Sequence, residues 1–527
     1  MPDNFEPACT ALSRRQMPAA GGTGLLAATA VAVPANASTG STVRNRSKAS
    51  GTGNGTPERV HLVWGNDPAT SVILSWTSPD PAVRPRVRIG QRVIRAQARC
   101  YTDEASGETM WAYHARVDRL RPGATYAYAV TADNGRSRAD PFSATFTTAP
   151  QGRAKFRFTS FGDLAAPGPL APAAGAAAYA AETVESFQPL FHLVNGDSCD
   201  TGAAARGDAQ GDFDYSVQTS AANRPWMPVP GASGAGAPSY QTRYTLPDND
   251  VPGFEGHWYS FRIGSVLVVA LNGDDVAYQP ASDRGYSAGT QTRWLESALA
   301  AARQDTSVDW IVVQVHQRAC PSPASGPGSD PGIARQWLPL FDQYEVDLVI
   351  SGHNAGYERS FPVRGFDQDG AATGIFQPRP VTTAGAGVFD TSQGTVHLVL
   401  GSGGARAASG QDAAWTARRD TSSGHGIAVL DVDPGTEADG QTAITVTYYR
   451  TTDAGPGNPA LESAVGAVPG DDAPGDAVPL DGVPLEYGVP GYGVPGDYAE
   501  FESFTLIRPR SDKRRWHARK SPAAVQA

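Results

Sequence analysis

Apolar and polar positions follow three successive regimes along this chain. From Arg59 to about Thr148 the apolar runs are short and alternating, as in Val60–Trp64, Ser71–Trp76 and Tyr126–Val130, with Pro, Asp and Gly between them. That pattern predicts an all-β sandwich. After Pro150, candidate strands at Phe156–Phe161, Phe191–Asn195, Trp310–Val315 and Asp347–Ile350 alternate with helical periodicity at Ala173–Phe187, Thr292–Arg303 and Ile333–Tyr344. Such alternation predicts an α/β core of adjacent buried strands. Farther on, Thr395–Leu400 and Gly426–Val432 add strands, and Thr442–Arg450 with Glu500–Ile507 are expected to complete a second sheet.

The remaining segments lack this patterning. Residues 1–37 carry Ser13-Arg14-Arg15, a weakly apolar stretch from Gly24 to Val33 and the small-residue site Ala35-Asn36-Ala37. Together these describe a Tat-type export signal. Residues 38–56 form a Ser/Thr/Gly spacer, and 57–150 the β-rich module. The α/β domain is placed at 151–453, followed by a Gly/Pro/Asp-rich insertion over 454–497 and a final strand at 498–510. In the basic tail, 511–527, the Lys and Arg cluster reads either as a solvated end or as contact with an anionic cell envelope. No other stretch approaches about 18 uninterrupted apolar residues, so no membrane span is expected.

Composition narrows the classes further. A formal charge of −10 argues against the chain as a whole being a nucleic-acid binder. Four cysteines, at 9, 100, 199 and 320, have no CxxC spacing, so a zinc–thiolate site is not expected. With Cys9 inside the export signal, at most one disulfide and one leftover thiol remain.

Chemistry-bearing residues stand at the ends of the predicted strands. Asp163, Asp197, His316 and His353 each close one, where α/β sheets gather ligands. Singly, a Gly-Asp after a strand is also a common turn or helix cap. In order and together, two carboxylates and two imidazoles suit Zn, Mn or Fe, with one carboxylate able to bridge a pair of ions. No G-x-S-x-G elbow and no Walker loop occurs, which leaves metal-assisted hydrolysis as the favoured chemistry.

Phe161-Gly-Asp163, Asn195-Gly-Asp197, Val313-Gln-Val-His316 and Gly352-His-Asn-Ala-Gly-Tyr-Glu-Arg359 resemble blocks of the purple acid phosphatases, a branch of the calcineurin-like metallophosphoesterases. Leu120–Tyr126 resembles the tyrosine-corner segment of fibronectin type III domains, with fold stability as its expected role. The resemblance implies a fibronectin III-like sandwich followed by two packed mixed β-sheets flanked by helices. It also implies a secreted enzyme that hydrolyses phosphate monoesters with a metal-activated water. Asp163 would bind the first metal, Asp197 would bridge, and His316 with His353 would bind the second.

Several family positions are replaced. Asp200 stands where the family places its metal-binding tyrosine, and Asp200 is a weak ligand candidate in its stead. Gly231-Ala-Ser-Gly234 replaces the family's GNHE block, removing an Asn ligand at 232, and Ala355 replaces the last His of GH-x-H. Ala165 stands where wider relatives have a metal-binding His. One of the two metal positions therefore keeps enough ligands for a firmly held ion. The alternative expectation is a catalytically impaired pseudophosphatase that binds phosphorylated or anionic ligands at the cell envelope.

Overall fold

The computed structural model describes residues 55–78, 81–102, 109–133, 141–164, 173–197, 216–231, 238–278, 284–320, 330–353, 356–367, 377–382, 387–403, 412–420, 422, 424–451 and 498–513. The export signal, nearly all of the 38–56 spacer, the 454–497 insertion and the tail beyond 513 lie outside these residues.

The alternating N-terminal region forms two four-stranded sheets. One orders β1 (Glu58–Val63), β2 (Val72–Ser78), β6 (Thr109–Val117) and β5 (Gln97–Thr102). The other orders β4 (Arg92–Arg95), β3 (Val83–Ile89), β7 (Thr125–Asp133) and β8 (Phe142–Thr147). Along β7 the buried positions are Tyr126, Tyr128, Val130 and Ala132, every second residue, because side chains alternate across a strand. The Tyr126 hydroxyl accepts the Arg121 N–H at 2.7 Å, a corner bond that closes such sandwiches.

The second domain packs two seven-stranded sheets against each other and also holds a two-stranded sheet of β17 (Val363–Asp367) and β18 (Gln377–Pro380). The first runs β11 (Trp226–Pro228), β10 (Phe191–Val194), β9 (Phe156–Phe161), β22 (Gly426–Asp433), β23 (Gln441–Thr451), β24 (Tyr498–Pro509) and β19 (Val388–Asp390). The second runs β12 (Tyr259–Ile263), β13 (Val266–Leu271), β14 (Trp310–Val315), β15 (Leu348–Ser351), β20 (Val396–Leu400), β16 (Tyr357–Ser360) and β21 (Thr416–Asp420). β23 and β24, expected to complete a second sheet, instead extend the sheet of β9 and β10, because β22 pairs antiparallel with β9. Every residue of β14 is buried, which explains its continuous apolar run: the strand is covered on both faces. Val312 faces the core between the sheets with Leu193 and Ile350. Its neighbour Val313 faces the helices, against Leu295, Leu299 and Trp337.

Helix α1 (Ala173–Phe187) and the helix at Thr290–Gln304 match the periodic segments. The helix expected over Ile333–Tyr344 is two short ones, Pro331–Gln336 and Leu338–Gln343. Pro339 lacks an N–H and fits only the first turn of a helix, so a new helix starts there. Cys100 is disulfide-bonded and Cys320 is a buried free thiol.

The sandwich is not a detached module. Its strands grip the stretch from 218 to 243: Val60 N–H donates to Gln218 Oε1 at 2.7 Å, and the Tyr128 hydroxyl donates to Ala222 O at 2.6 Å. Ring nitrogens of His61 and His114 reach the Arg243 and Thr242 carbonyls at 3.2 and 2.9 Å. Within that stretch lie β11 and Gly231, so the sandwich holds one wall of the site described next.

Candidate metal centre

Four strand ends converge across the two sheets. Asp163 follows β9 and Asp197 follows β10, parallel neighbours in the first sheet. His316 follows β14 and His353 follows β15, parallel neighbours in the second. Two parallel pairs, one per sheet, thus point the carboxylates at the imidazoles.

The turns that carry these residues are strained. Asp163, Asp197 and His353 have φ of 56°, 46° and 70°, the left-handed region that side chains with a Cβ seldom occupy. Strain of this kind persists where surrounding structure enforces it, and it gathers at functional sites. Close approach is secured by glycines. A Cβ at Gly196 would lie 2.5 Å from His316 Nδ1, and one at Gly231 would lie 1.9 Å from Asp197 Oδ1. Gly352 meets the Asn195 carbonyl at 2.5 Å in the same test.

One ligand atom each from Asp163, Asp197 and His316 falls within 4.8 Å of the others. His316 Nε2 is 3.3 Å from Asp197 Oδ2, and its Nδ1 is 4.0 Å from Asp163 Oδ1. The Asn195 carbonyl lies 2.9 Å from His316 Nδ1, which fixes that nitrogen as the donor and turns Nε2 toward the carboxylates. His353 Nδ1 stands 3.2 Å from His316 Nε2 with the rings near perpendicular, at 87°.

Burial and mutual charge shift three of the four groups. Burial pushes the Asp163 carboxyl up to about 8, with Asp197 adding to the shift and His316 opposing it. For His316 burial works downward, but Asp197 and then Asp163 outweigh it and raise the imidazole to about 9. His353 falls to about 4 through desolvation and the charge on His316. Asp163 Oδ2 is buried with no hydrogen-bond donor. A buried carboxyl oxygen without a hydrogen-bond donor, on a residue whose ligand atoms gather within 4.8 Å of those of Asp197 and His316, belongs to a donor set that a cation satisfies. The residues present therefore fit a metal ion.

All four principal candidates meet at one place, Asp163, Asp197 and His316 as a tight triad and His353 against His316. Asp200, Ala165, Ala232 and Ala355 lie outside the described residues. Gly231, which leads into the replaced block, does lie against Asp197. Two contributors went unassigned in the sequence, Asn195 and Gln314. The signal was there in Gln314, a lone amide inside an otherwise apolar strand.

The family model described as "Purple acid Phosphatase, N-terminal domain" matches residues 57–149. A Mycobacterium tuberculosis protein described as uncharacterised is 37% identical over 455 residues, covering 75% of this chain and 84% of that protein. Acid phosphatase type 7 of Mus musculus is 26% identical, covering 66% of this chain and 78% of its own. The solved structure of purple acid phosphatase PPD1 from yellow lupin (Lupinus luteus) has a similar fold, with a TM-score of 0.61 at 17% identity, over 90% of this chain and 78% of that one.

Proposed function

This chain belongs to the purple acid phosphatase family, and on that premise we propose that it is a secreted metallophosphoesterase that hydrolyses phosphate monoesters while holding one metal ion firmly. The observation that carries this reading is the Asp163–Asp197–His316 triad, with ligand atoms within 4.8 Å of one another. When bound, the ion (Fe, Zn or Mn by its N/O ligand set) supplies water activation and neutralisation of phosphoryl charge.

The protein's own residues do the rest. Asp197 brings negative charge to the cleft, and Asp163 a buried carboxyl that gives up its proton when a cation enters. His316, anchored by the Asn195 carbonyl, presents Nε2 as a neutral donor. His353, beside it, supplies a second imidazole at the mouth of the site. Export rests on the Ser13-Arg14-Arg15 leader, and contact with an anionic envelope on the Arg- and Lys-rich tail.

A second reading, a pseudophosphatase that binds phosphorylated or anionic ligands without turnover, is favoured by Asp200, Ala232 and Ala355 at family ligand positions. One experiment separates the two. Metal content and phosphatase activity are measured for the mature protein and for the Ala232→Asn/Ala355→His double variant. Bound metal and turnover in the unmodified protein support the enzyme; absence of both, with turnover gained by the double variant, would establish the pseudophosphatase.

A further inference from the structure

The core between two packed sheets is expected to be apolar, yet beneath the metal centre it holds a chain of three polar side chains. Gln314 on β14, Asn195 after β10 and Ser160 on β9 are all fully buried. Gln314 shares the between-sheets parity of Val312 and lies two residues before His316. Its Nε2 crosses to the opposite sheet, donating to the Val194 carbonyl at 2.9 Å and to Asn195 Oδ1 at 3.1 Å. The Met227 carbonyl of β11 lies 3.4 Å from the same nitrogen. Asn195 Nδ2 in turn donates to Ser160 Oγ at 2.9 Å, three residues before Asp163.

One amide thus bonds, directly or through Asn195, to the strands that lead to Asp163, Asp197 and Gly231, while its own strand leads to His316. The arrangement has a cost: Gln314 Oε1 is buried with no hydrogen-bond partner. A leucine or methionine would fill this core position without an orphaned oxygen, and buried polar groups are retained where they specify geometry. The Asn195 carbonyl, aimed by this bonding, is the group that accepts His316 Nδ1–H.

We propose that Gln314 is a positioning residue that sets the relative placement of Asp197 and His316 across the two sheets, through Asn195. Its consequence for metal binding rests on the reading of Asp163, Asp197 and His316 as ligands. The side chain touches none of the reacting groups; it acts by fixing the Asn195 carbonyl and the β10 turn.

The test compares the mature full-length protein with Gln314→Met, similar in size but without the donor. Two readouts are taken: Co²⁺ affinity from visible-absorption titration, and the protected His316 Nδ1–H signal in the NMR spectrum of metal-free protein. The proposal expects Co²⁺ affinity to fall about 10–100-fold, the cobalt bands to shift, and the proton signal to broaden or vanish. A lowered melting temperature with unchanged affinity, bands and proton signal would reduce Gln314 to a packing residue and overturn the proposal. Should Gln314→Met fail to fold, Ser160→Ala at the other end of the chain is read the same way, with a loss of about tenfold expected by the same reasoning. A wild-type protein that takes up no cobalt would defeat the proposed function, while the metal-free NMR comparison would still decide the role of Gln314.

Discussion

His316 and His353 meet edge to face, with Nδ1 of His353 3.2 Å from Nε2 of His316. Without metal, His316 is the charged partner and His353 the neutral one, since the carboxylates raise the first and desolvation with the charge of His316 lowers the second. The His316 Nε2 proton, 3.3 Å from Asp197 Oδ2, occupies the position from which a cation would take that nitrogen's lone pair. Metal uptake must therefore expel it.

That exchange gives the metal-free protein an alkaline weakness. His316, raised to about 9 from 6.5, contributes stability fully present below pH 6.5 and lost as pH rises through 9. Asp163, raised to about 8 from 3.8, acts in the same direction, because ionising it in the fold costs more than in the unfolded chain. Urea midpoints of chelator-treated protein should fall between pH 6.5 and 9, while metal-loaded protein holds level. Titration calorimetry in buffers of different ionisation enthalpy should register proton release on metal binding.

Gly231 has no room for a side chain. A Cβ there would fall 1.9 Å from Asp197 Oδ1 and 2.5 Å from the Asp197 backbone nitrogen. Gly231→Ala is expected to push Asp197 away from His316, costing about 1–3 kcal/mol of stability and at least about tenfold in metal affinity. Denaturation and metal titration on the same preparation check both figures.

A buried ion cluster ties the last strand to the rest of the domain. Asp347, fully buried, accepts from Arg303 Nη2 at 2.6 Å and pairs with Arg508 of β24. Burial alone would raise its carboxyl, but the two guanidiniums win and hold it below the usual range. Asp347→Ala leaves two buried cations facing each other and should destabilise by about 3–5 kcal/mol. The native contribution is present above pH 3.8 and is lost as the pH drops below that value.

Acid should also unfold the protein through histidines. His114 and His397 are buried and held down to about 3, by desolvation first and, for His114, by Arg99 as well. Both are neutral in the fold and charge at 6.5 in the unfolded chain, so stability declines as pH falls from 6.5 toward 3. The slope of unfolding free energy against pH in that window should shrink in His397→Gln, as measured by urea denaturation.

The candidate ligands were legible because each signal is local. A strand pattern followed by Gly-Asp, or by a single His, can be read within eight residues, and β9 and β14 occupy the predicted ranges. Asn195, Gln314 and Gly231 were opaque for the opposite reason. Asn195 and Gln314 are 119 residues apart in the chain, and their bond exists only because two sheets stack.

The sequence by itself determined the change from a β-sandwich to an α/β domain, the main buried strands and the four residues at strand ends, since period and turn chemistry are properties of neighbouring residues. Tertiary structure alone decided that the aspartates and the histidines come from different sheets, and that the sandwich grips the wall holding Gly231. It also decided which glycines have no space for a Cβ. Those facts depend on which distant strands share a sheet and how closely the sheets approach, and neither is written in any short window of the chain.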